Sequence, residues 1–476
     1  MEQKCNCNVD FEKDIRRRLD LLLRTGQLLV ESSADTSRIM RNMKRTAAYL
    51  GLSEENLHIH ITYNMLMVNF SDETHSFSKF QRCVHHGINM TAISAISKLS
   101  WRAIKEDYSL DKYEEEFEKI KNRKRNYTPW QVAIGAGFAC GGFCVQFGCD
   151  WPAFFYASIA AILGFRLRMY LNTLGSNGYA NIAIAAFVST LLAWLSAYIS
   201  TPMIEGSLPT WLVALLHTDT PWHPLLACAL FIVPGVPLIN FVSDMLDSHF
   251  TMGLNRALNT LLMVAAMSFG IVMAIKVCGI DNFVKDLSMV PHNNYLAYAT
   301  AAAISAMGFS MIFNIPYRLL PVVAIGGIIA VCARNYANLG PSNNNIGLDL
   351  GLIAGSLIGS SLISVVCIKA VHWFHVPHHV LSIPSVIPMV PGVLMYRALF
   401  GLIEMQGVVG ELTDAFSNGI KASLTILCIA IGVAIPNIFA RQWIAPGRRR
   451  KLERLIEERK AKGKFVEPAI VEANAW

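Results

Sequence analysis

The sequence predicts an all-α polytopic membrane protein: about ten transmembrane helices forming two inverted five-helix repeats, with a small cytoplasmic α+β domain at the N-terminus. Three observations carry that expectation. Of 476 residues 53% are hydrophobic and only 16% charged, well away from soluble globular composition. Charge is also segregated, since residues 1–129 hold 21 Lys/Arg and 18 Asp/Glu, the tail from Arg441 holds 10 and 5, and the 311 residues between hold only 10 and 11. Finally, a break in one apolar span, Val233-Pro234-Gly235-Val236, recurs in another as Val390-Pro391-Gly392-Val393.

Residues 1–128 read as the cytoplasmic domain. Leu19, Leu22, Leu23, Leu28, Leu29 and Val30 begin a helical pattern that runs through Ile39, Met43 and Ala47 to a stop at Gly51. LHIHI and MLMVNF flank the turn-prone Thr62-Tyr63-Asn64 and predict a hairpin. Helices are expected again over 80–105 and 110–124. Glu31, Asp35 and Arg38 fall at helical spacing and read as a polar face. His58 and His60 share a strand face near His85 and His86, but no Cys or carboxylate stands at familiar ligand spacing, so no metal is expected.

A window of roughly 20 apolar residues places spans near 130–148, 151–171, 178–200, 222–243 and 254–278 in a first repeat, residues 129–280. It places five more near 295–314, 318–334, 346–370, 381–403 and 419–441 in a second, residues 281–441. Residues 442–476 form a basic tail. KIKNRKR before the first span and RRRK after the last put both termini in the cytoplasm of a multi-pass protein of the cell (inner or plasma) membrane. The N-terminus is too polar for a cleavable signal. The cysteines sit mostly in apolar spans and predict no disulfide framework.

Five is odd, so two repeats of five spans insert in opposite senses, the plan of secondary transporters whose matched Gly/Pro-broken helices mark the substrate site. Pro234, Pro237, Pro388 and Pro391 release carbonyls from the helix ladder, and Gly235 and Gly392 allow close approach. Each following half-helix offers free amides and a positive dipole end, which suit a carboxylate. The candidate substrate-binding residues are therefore Pro234, Gly235, Val236, Pro237, Asn240, Pro391, Gly392 and Val393. Asp244, Asp247, Arg256, Asp349 and Arg397 are the ionisable groups nearby and the candidates for coupling or gating. Asp244 reads either as a protonatable coupling group or as an ion-paired group at a helix end. Asp349 is expected early in the eighth span. Helical rise puts Asp244 and Arg397 roughly 15 and 8 Å beyond their breaks, on opposite sides, so they are not expected to pair.

Elsewhere the signals are packing motifs. Gly351, Gly355 and Gly359, and Gly137 with Gly141, predict close helix contacts. HWFHVPHH, 372–379, reads as a solvated loop. No protease motif is present, so an enzyme is not expected; nor are a cofactor or a nucleic-acid partner. A channel, or a sensor acting through the cytoplasmic domain, is the competing reading. The partners expected are a small-molecule substrate, protons and the lipid bilayer, and homo-oligomerisation is compatible with the plan.

At these residues the sequence resembles the threonine/serine exporter family. Val233, Pro234, Gly235, Val236, Pro237, Leu238 and Asn240, followed by Asp244, Gly253 and Arg256, match its most specific motif. IPMVPG, 387–392, with Tyr396 and Arg397, resembles the family's second membrane domain. Ala34, Thr36, Arg38, Leu50 and Gly51 fit its N-terminal helix, with Met40 where an acidic residue is usual. The resemblance implies ten membrane helices behind a cytoplasmic domain and proton-coupled export of threonine and serine. Members split over two chains are linked to dicarboxylate export, which leaves succinate-like cargo as the alternative.

Overall fold

The structure, a computed structural model, describes every residue except 1, 72–75, 200–208, 210–215, 281–293, 342–345, 404–408 and 462–476. The chain divides into two compact units. The first gathers Met1–Lys124 with Ser243–Arg256 and the chain from Asn437; the second holds Arg125–Val242 and Ala257–Pro436.

In the first unit α1 spans Glu2–Glu31 and α2 spans Thr36–Leu50. An antiparallel sheet of β1 (Leu57–Ile61), β2 (Met65–Ser71) and β3 (Ser76–Arg82) follows, in that order, and α3 (Met90–Lys105) and α4 (Leu110–Lys121) come after it. Leu19, Leu22 and Leu29 of α1, Ile39 and Met43 of α2, and Leu66 and Val68 of β2 are fully buried, each adding roughly 1.5–3 kcal/mol by leaving water. Gly26 lets these layers close, because a Cβ there would stand 2.5 Å from Leu66 and 2.6 Å from Met43.

The expected hairpin forms, with Ile59 opposite Val68. Two expectations need correction. Residues 76–82 form a third strand, with the period-two pattern of SFSKFQR, and the next helix starts at Met90 instead of near 80. The long helix ending at Gly51 is two helices. Ser33 turns left-handed at φ 61°, and Asp35 caps α2 by accepting from the Arg38 amide at 2.8 Å. Glu31, Asp35 and Arg38 therefore share no helix face. Gly51, at φ 75°, ends α2 as expected.

The second unit is helical. It contains α5 (Pro129–Gln146), α6 (Trp151–Thr173), α7 (Gly178–Ile199) and the short α8 (His223–Ala227). Then come α9 (Gly235–Leu246, whose last turn belongs to the first unit), α10 (Phe250–Val277, in the second unit from Ala257), α11 (Tyr295–Ile312), α12 (Leu320–Asn338), α13 (Gly351–Phe374), α14 (His378–Val386), α15 (Gly392–Ile403) and α16 (Val409–Ala461, in the second unit as far as Pro436). Among the described residues seven helices are long and apolar enough to cross a membrane, or nine if each of two bent pairs makes one span. With four glycines and two glutamines, α5 occupies the expected first span but is less apolar than these.

Small residues set the helix contacts. A Cβ on Gly142 would lie 2.6 Å from the Ala301 carbonyl, and one on Gly308 would lie 2.3 Å from the Gly135 carbonyl. Gly142 and Gly308 each stand fourteen residues after their helix caps, Thr128 and Asn294, and Gly135 and Ala301 each stand seven after. The contact between α5 and α11 is thus reciprocal. Gly355 and Gly359 pack on the Arg334 and Ala330 carbonyls, as their spacing predicts. Gly351 does not share that role; it opens α13 at φ 81° with nothing within 4 Å.

Candidate functional site

Both breaks have the same backbone. A 3-10 turn, Leu230–Ile232, precedes Val233-Pro234 and α9; another, Ile387–Met389, precedes Val390-Pro391 and α15. A constant offset of 157 residues maps turn, break and half-helix of the first onto the second. The bends are 57° and 53°. Proline removes the donor that would continue each ladder, and the glycine amide folds back on the carbonyl two residues earlier, Gly235 on Val233 at 2.9 Å and Gly392 on Val390 at 2.8 Å. The first-turn amides of Val236, Val393 and Leu394 have no intrahelical acceptor, as at any helix start, and Pro237 has no amide to offer.

The two breaks meet at their glycines. A Cβ on Gly235 would lie 2.3 Å from Ile387, and one on Gly392 would lie 2.9 Å from Leu230 and 3.4 Å from Val233. Leu230 and Ile387 each precede their own glycine by five residues, so each glycine accepts the equivalent side chain of the other half. This contact brings Pro234, Gly235, Val236, Pro391, Gly392 and Val393 together; Pro237 is partly exposed and the others are buried. Five residues past each glycine stand Asn240, buried, and Arg397, half-buried. The equivalent step thus carries an amide in one half and a guanidinium in the other.

Asp244, on the last turn of α9, lies in the first unit. A tight turn with Ser248 left-handed at φ 64° reverses the chain and brings Arg256 of α10 back beside it. Arg256 Nη1 donates to Asp244 Oδ2 at 2.8 Å, and the pair is buried, 5% and 1% exposed. The other carboxylate oxygen accepts from the Thr36 amide at 3.0 Å. Arg256 Nη2 donates to the Ala34 carbonyl at 2.6 Å, and Ser37 Oγ donates to Asp247 Oδ2. Both Asp244 oxygens are therefore engaged, one by an arginine and one by the first turn of α2, whose dipole favours an anion there. Asp244 is thus ion-paired at the end of α9.

The turn that makes these contacts is itself braced. Ser33 Oγ donates to the Gly87 carbonyl, the Gly87 amide to Glu31 and the Asn89 amide to Ser32. His86 stacks on Tyr63 at 4.1 Å. Burial holds its imidazole below the ordinary value, Glu31 opposes this, and Arg256 and His85 add to it. Sequence reasoning missed the role of Ala34, Thr36 and Ser37. Two of the groups involved are backbone atoms, and their signals were the cap chemistry of Ser-Ser-Ala-Asp-Thr and the fit of Ala34 and Thr36 to the family's N-terminal pattern, neither of which points to Asp244.

Other expectations resolve differently. Asp349 is exposed on the turn before α13, at φ 53°, and not inside the span; its amide donates to the Leu339 carbonyl. The histidine stretch is not a solvated loop throughout, because His378 and His379 open α14 and are buried. The His378 ring lies 3.3 Å from the hydroxyls of Ser364 and Ser382. His85 and His86 sit on a connection and not on a helix, and no His/Cys/Asp/Glu group able to hold a metal occurs among the described residues.

Comparison with known proteins identifies the family. The family described as "Putative threonine/serine exporter" matches residues 20–278, and "Threonine/Serine exporter, ThrE" matches residues 298–439. The chain is 25% identical over 266 residues to "Probable succinate transporter subunit YjjP" of Escherichia coli (strain K12), covering 56% of this chain and 96% of that protein. The Klebsiella aerogenes protein of the same name is 24% identical over 260 residues, 55% of this chain and 93% of its own. "Probable threonine/serine exporter" of Mycobacterium tuberculosis is 22% identical over 447 residues, 89% of this chain and 77% of its own. No solved structure matches. With both halves matched and every one of these relatives named for transport, the chain belongs to the threonine/serine exporter family and is a multi-pass membrane exporter of a small molecule, not an enzyme.

Proposed function

We propose that the protein exports threonine and serine as a proton-driven antiporter, with the cargo held between α9 and α15. The observation that carries this reading is the reciprocal meeting of the two breaks at Gly235 and Gly392. It fits two five-helix halves inserted in opposite senses with both chain termini in the cytoplasm, the arrangement in which paired half-helix starts face a central substrate. The cargo carboxylate takes the first-turn amides of Val236, Val393 and Leu394, and Asn240 reads the remaining polar groups. Because Leu230 and Ile387 fill the crossing, binding requires these two side chains to part.

Asp244 is the coupling group in this scheme. Thr36 and Arg256 each donate to one oxygen and favour the charged carboxylate; release of the turn and protonation are therefore linked, and Asp247 and Arg256 act as gating groups that hold the turn closed. Efflux of labelled threonine from proteoliposomes under an imposed proton gradient tests the proposal. Saturable efflux that follows the gradient is the expected result, and efflux that is absent, or indifferent to the gradient, refutes it.

Dicarboxylate export is the second reading, and Arg397 favours it. At the step where the first half presents Asn240, the second presents a cation, which suits a second carboxylate, and two relatives carry succinate transporter names. Succinate loaded into the same vesicles, in competition with threonine, decides between the two cargos.

A further inference from the structure

The first unit contains a cavity of 230 Å³ lined by Met40, Lys44 and Ala47 of α2, Leu52 and Glu54 of the following turn, and residues 57–59 of β1. That is below the range of roughly 300–1,000 Å³ typical of drug-sized ligand sites, which restricts an occupant to about the size of a single amino acid. The lining supplies both signs of charge on an otherwise apolar wall. Lys44 Nζ pairs with Glu54 Oε1, and both side chains keep access to solvent, at 26% and 20%. Glu54 Oε2 is buried without a hydrogen-bond partner among the described residues. His58 is exposed on the same wall.

We infer that this cavity is a regulatory site for a small zwitterionic amino acid, and that it acts on the turn closing over Asp244; the inference rests on the exporter reading. The ligand carboxylate replaces Glu54 on Lys44, and the ligand ammonium engages Glu54, including the oxygen that now lacks a donor. A partly exposed ion pair contributes little to the fold, so opening it for a ligand of matching charges is inexpensive. The apolar lining takes a short side chain. A dicarboxylate lacks the ammonium that Glu54 requires and is excluded by charge.

The mechanical link is one helix. Met40, Lys44 and Ala47 line the cavity from the middle of α2, and Thr36 at its first position donates to Asp244. The two sites lie within eight residues of each other on one rigid rod, roughly 12 Å along its axis. Wedging apart α2 and β1 at the cavity tilts the first turn of α2 away from the carboxylate. The exporter would then open when its cargo accumulates.

Hydrogen exchange on the full-length protein in lipid nanodiscs tests this, with L-threonine, N-acetyl-L-threonine and succinate as probes. L-threonine is expected to slow exchange at least threefold over 44–59 and to speed it at least threefold over 34–38. The other two probes do neither, and the double variant Lys44→Gln, Glu54→Gln loses both responses. An equal response in the double variant, or none in a wild-type protein that still exports threonine from vesicles, overturns the regulatory site. An intact response in a protein that exports no threonine upholds the site and refutes the export reading instead.

Discussion

The two broken helices share a backbone at the break and differ in the side chains beyond it. Past the crossing α9 carries Asn240 and Asp244, with Asp247 one residue beyond its end; Thr36 and Arg256 hold Asp244, Ser37 holds Asp247, and the Ala34 carbonyl holds Arg256. At equivalent steps α15 carries Arg397 and Gly401; the step of Asp247 falls on Glu404, which lies outside the described residues. Among the described residues the labour is divided: the feature suited to binding is duplicated, whereas the buried ion pair at the step of Asp244 occurs in one half, with Gly401 at that step of the other. If so, damage to the shared feature should impair transport from either half, and damage to the closure should leave the crossing intact.

The largest effect is expected at the closure. Arg256→Gln strips the cation from a buried carboxylate and should destabilise the first unit by about 3–5 kcal/mol, read as a lowered melting temperature and faster exchange over 32–38. Adding Asp244→Asn should recover part of the loss, because two neutral side chains can share a hydrogen bond without an unpaired charge. A double variant no more stable than Arg256→Gln alone would contradict the pairing.

At the crossing the effects should be smaller and should rank with the space available. Gly235→Ala must push Ile387 aside from 2.3 Å, and Gly392→Ala must shift Leu230 from 2.9 Å. Overpacking of this kind costs about 1–3 kcal/mol, so transport should fall by roughly 100-fold for Gly235→Ala and by about fivefold for Gly392→Ala. Ile387→Val should rescue the first and leave the second unchanged. Rescue of both, or of neither, would break the claim that each glycine accommodates one side chain of the other half.

How legible these features were in the sequence depends on which atoms make them. Pro234-Gly235 and Pro391-Gly392 announce themselves because proline and glycine act on the backbone through their own covalent structure, wherever the chain folds. The crossing of the breaks was foreshadowed by the repeated tetrapeptide. The closure was not, since Thr36 and Asp244 are 208 residues apart and the groups meeting Asp244 and Arg256 from the N-terminal side are an amide and a carbonyl, which every residue possesses. The split of one long helix into α1 and α2 shows the same limit. The apolar periodicity from Leu19 to Ala47 continues through the turn, and only the Asp35 cap and the left-handed Ser33 separate the two. Burial of His378 and His379 was hidden because a histidine pair reads alike in a loop and at a helix start packed against Ser364.

A single backbone amide gives the sharpest test of the asymmetry. Thr36→Pro deletes the one amide that holds Asp244 Oδ1 and should leave α2 standing, because proline is favoured at the first helical position. The preceding residue, Asp35, already has the extended backbone that a following proline demands, at φ −65° and ψ 148°. The loss is then one hydrogen bond to a charged acceptor, about 1.5–3 kcal/mol, or roughly a tenfold to hundredfold rise in the open fraction of the turn. Exchange over 34–38 should quicken by that factor while exchange over 40–50 stays as it was. The Asp244–Arg256 pair should persist, so the melting temperature should fall less than in Arg256→Gln. If exchange over 34–38 does not change, the α2 amide contributes nothing to the closure, and the difference between the two halves reduces to the ion pair alone.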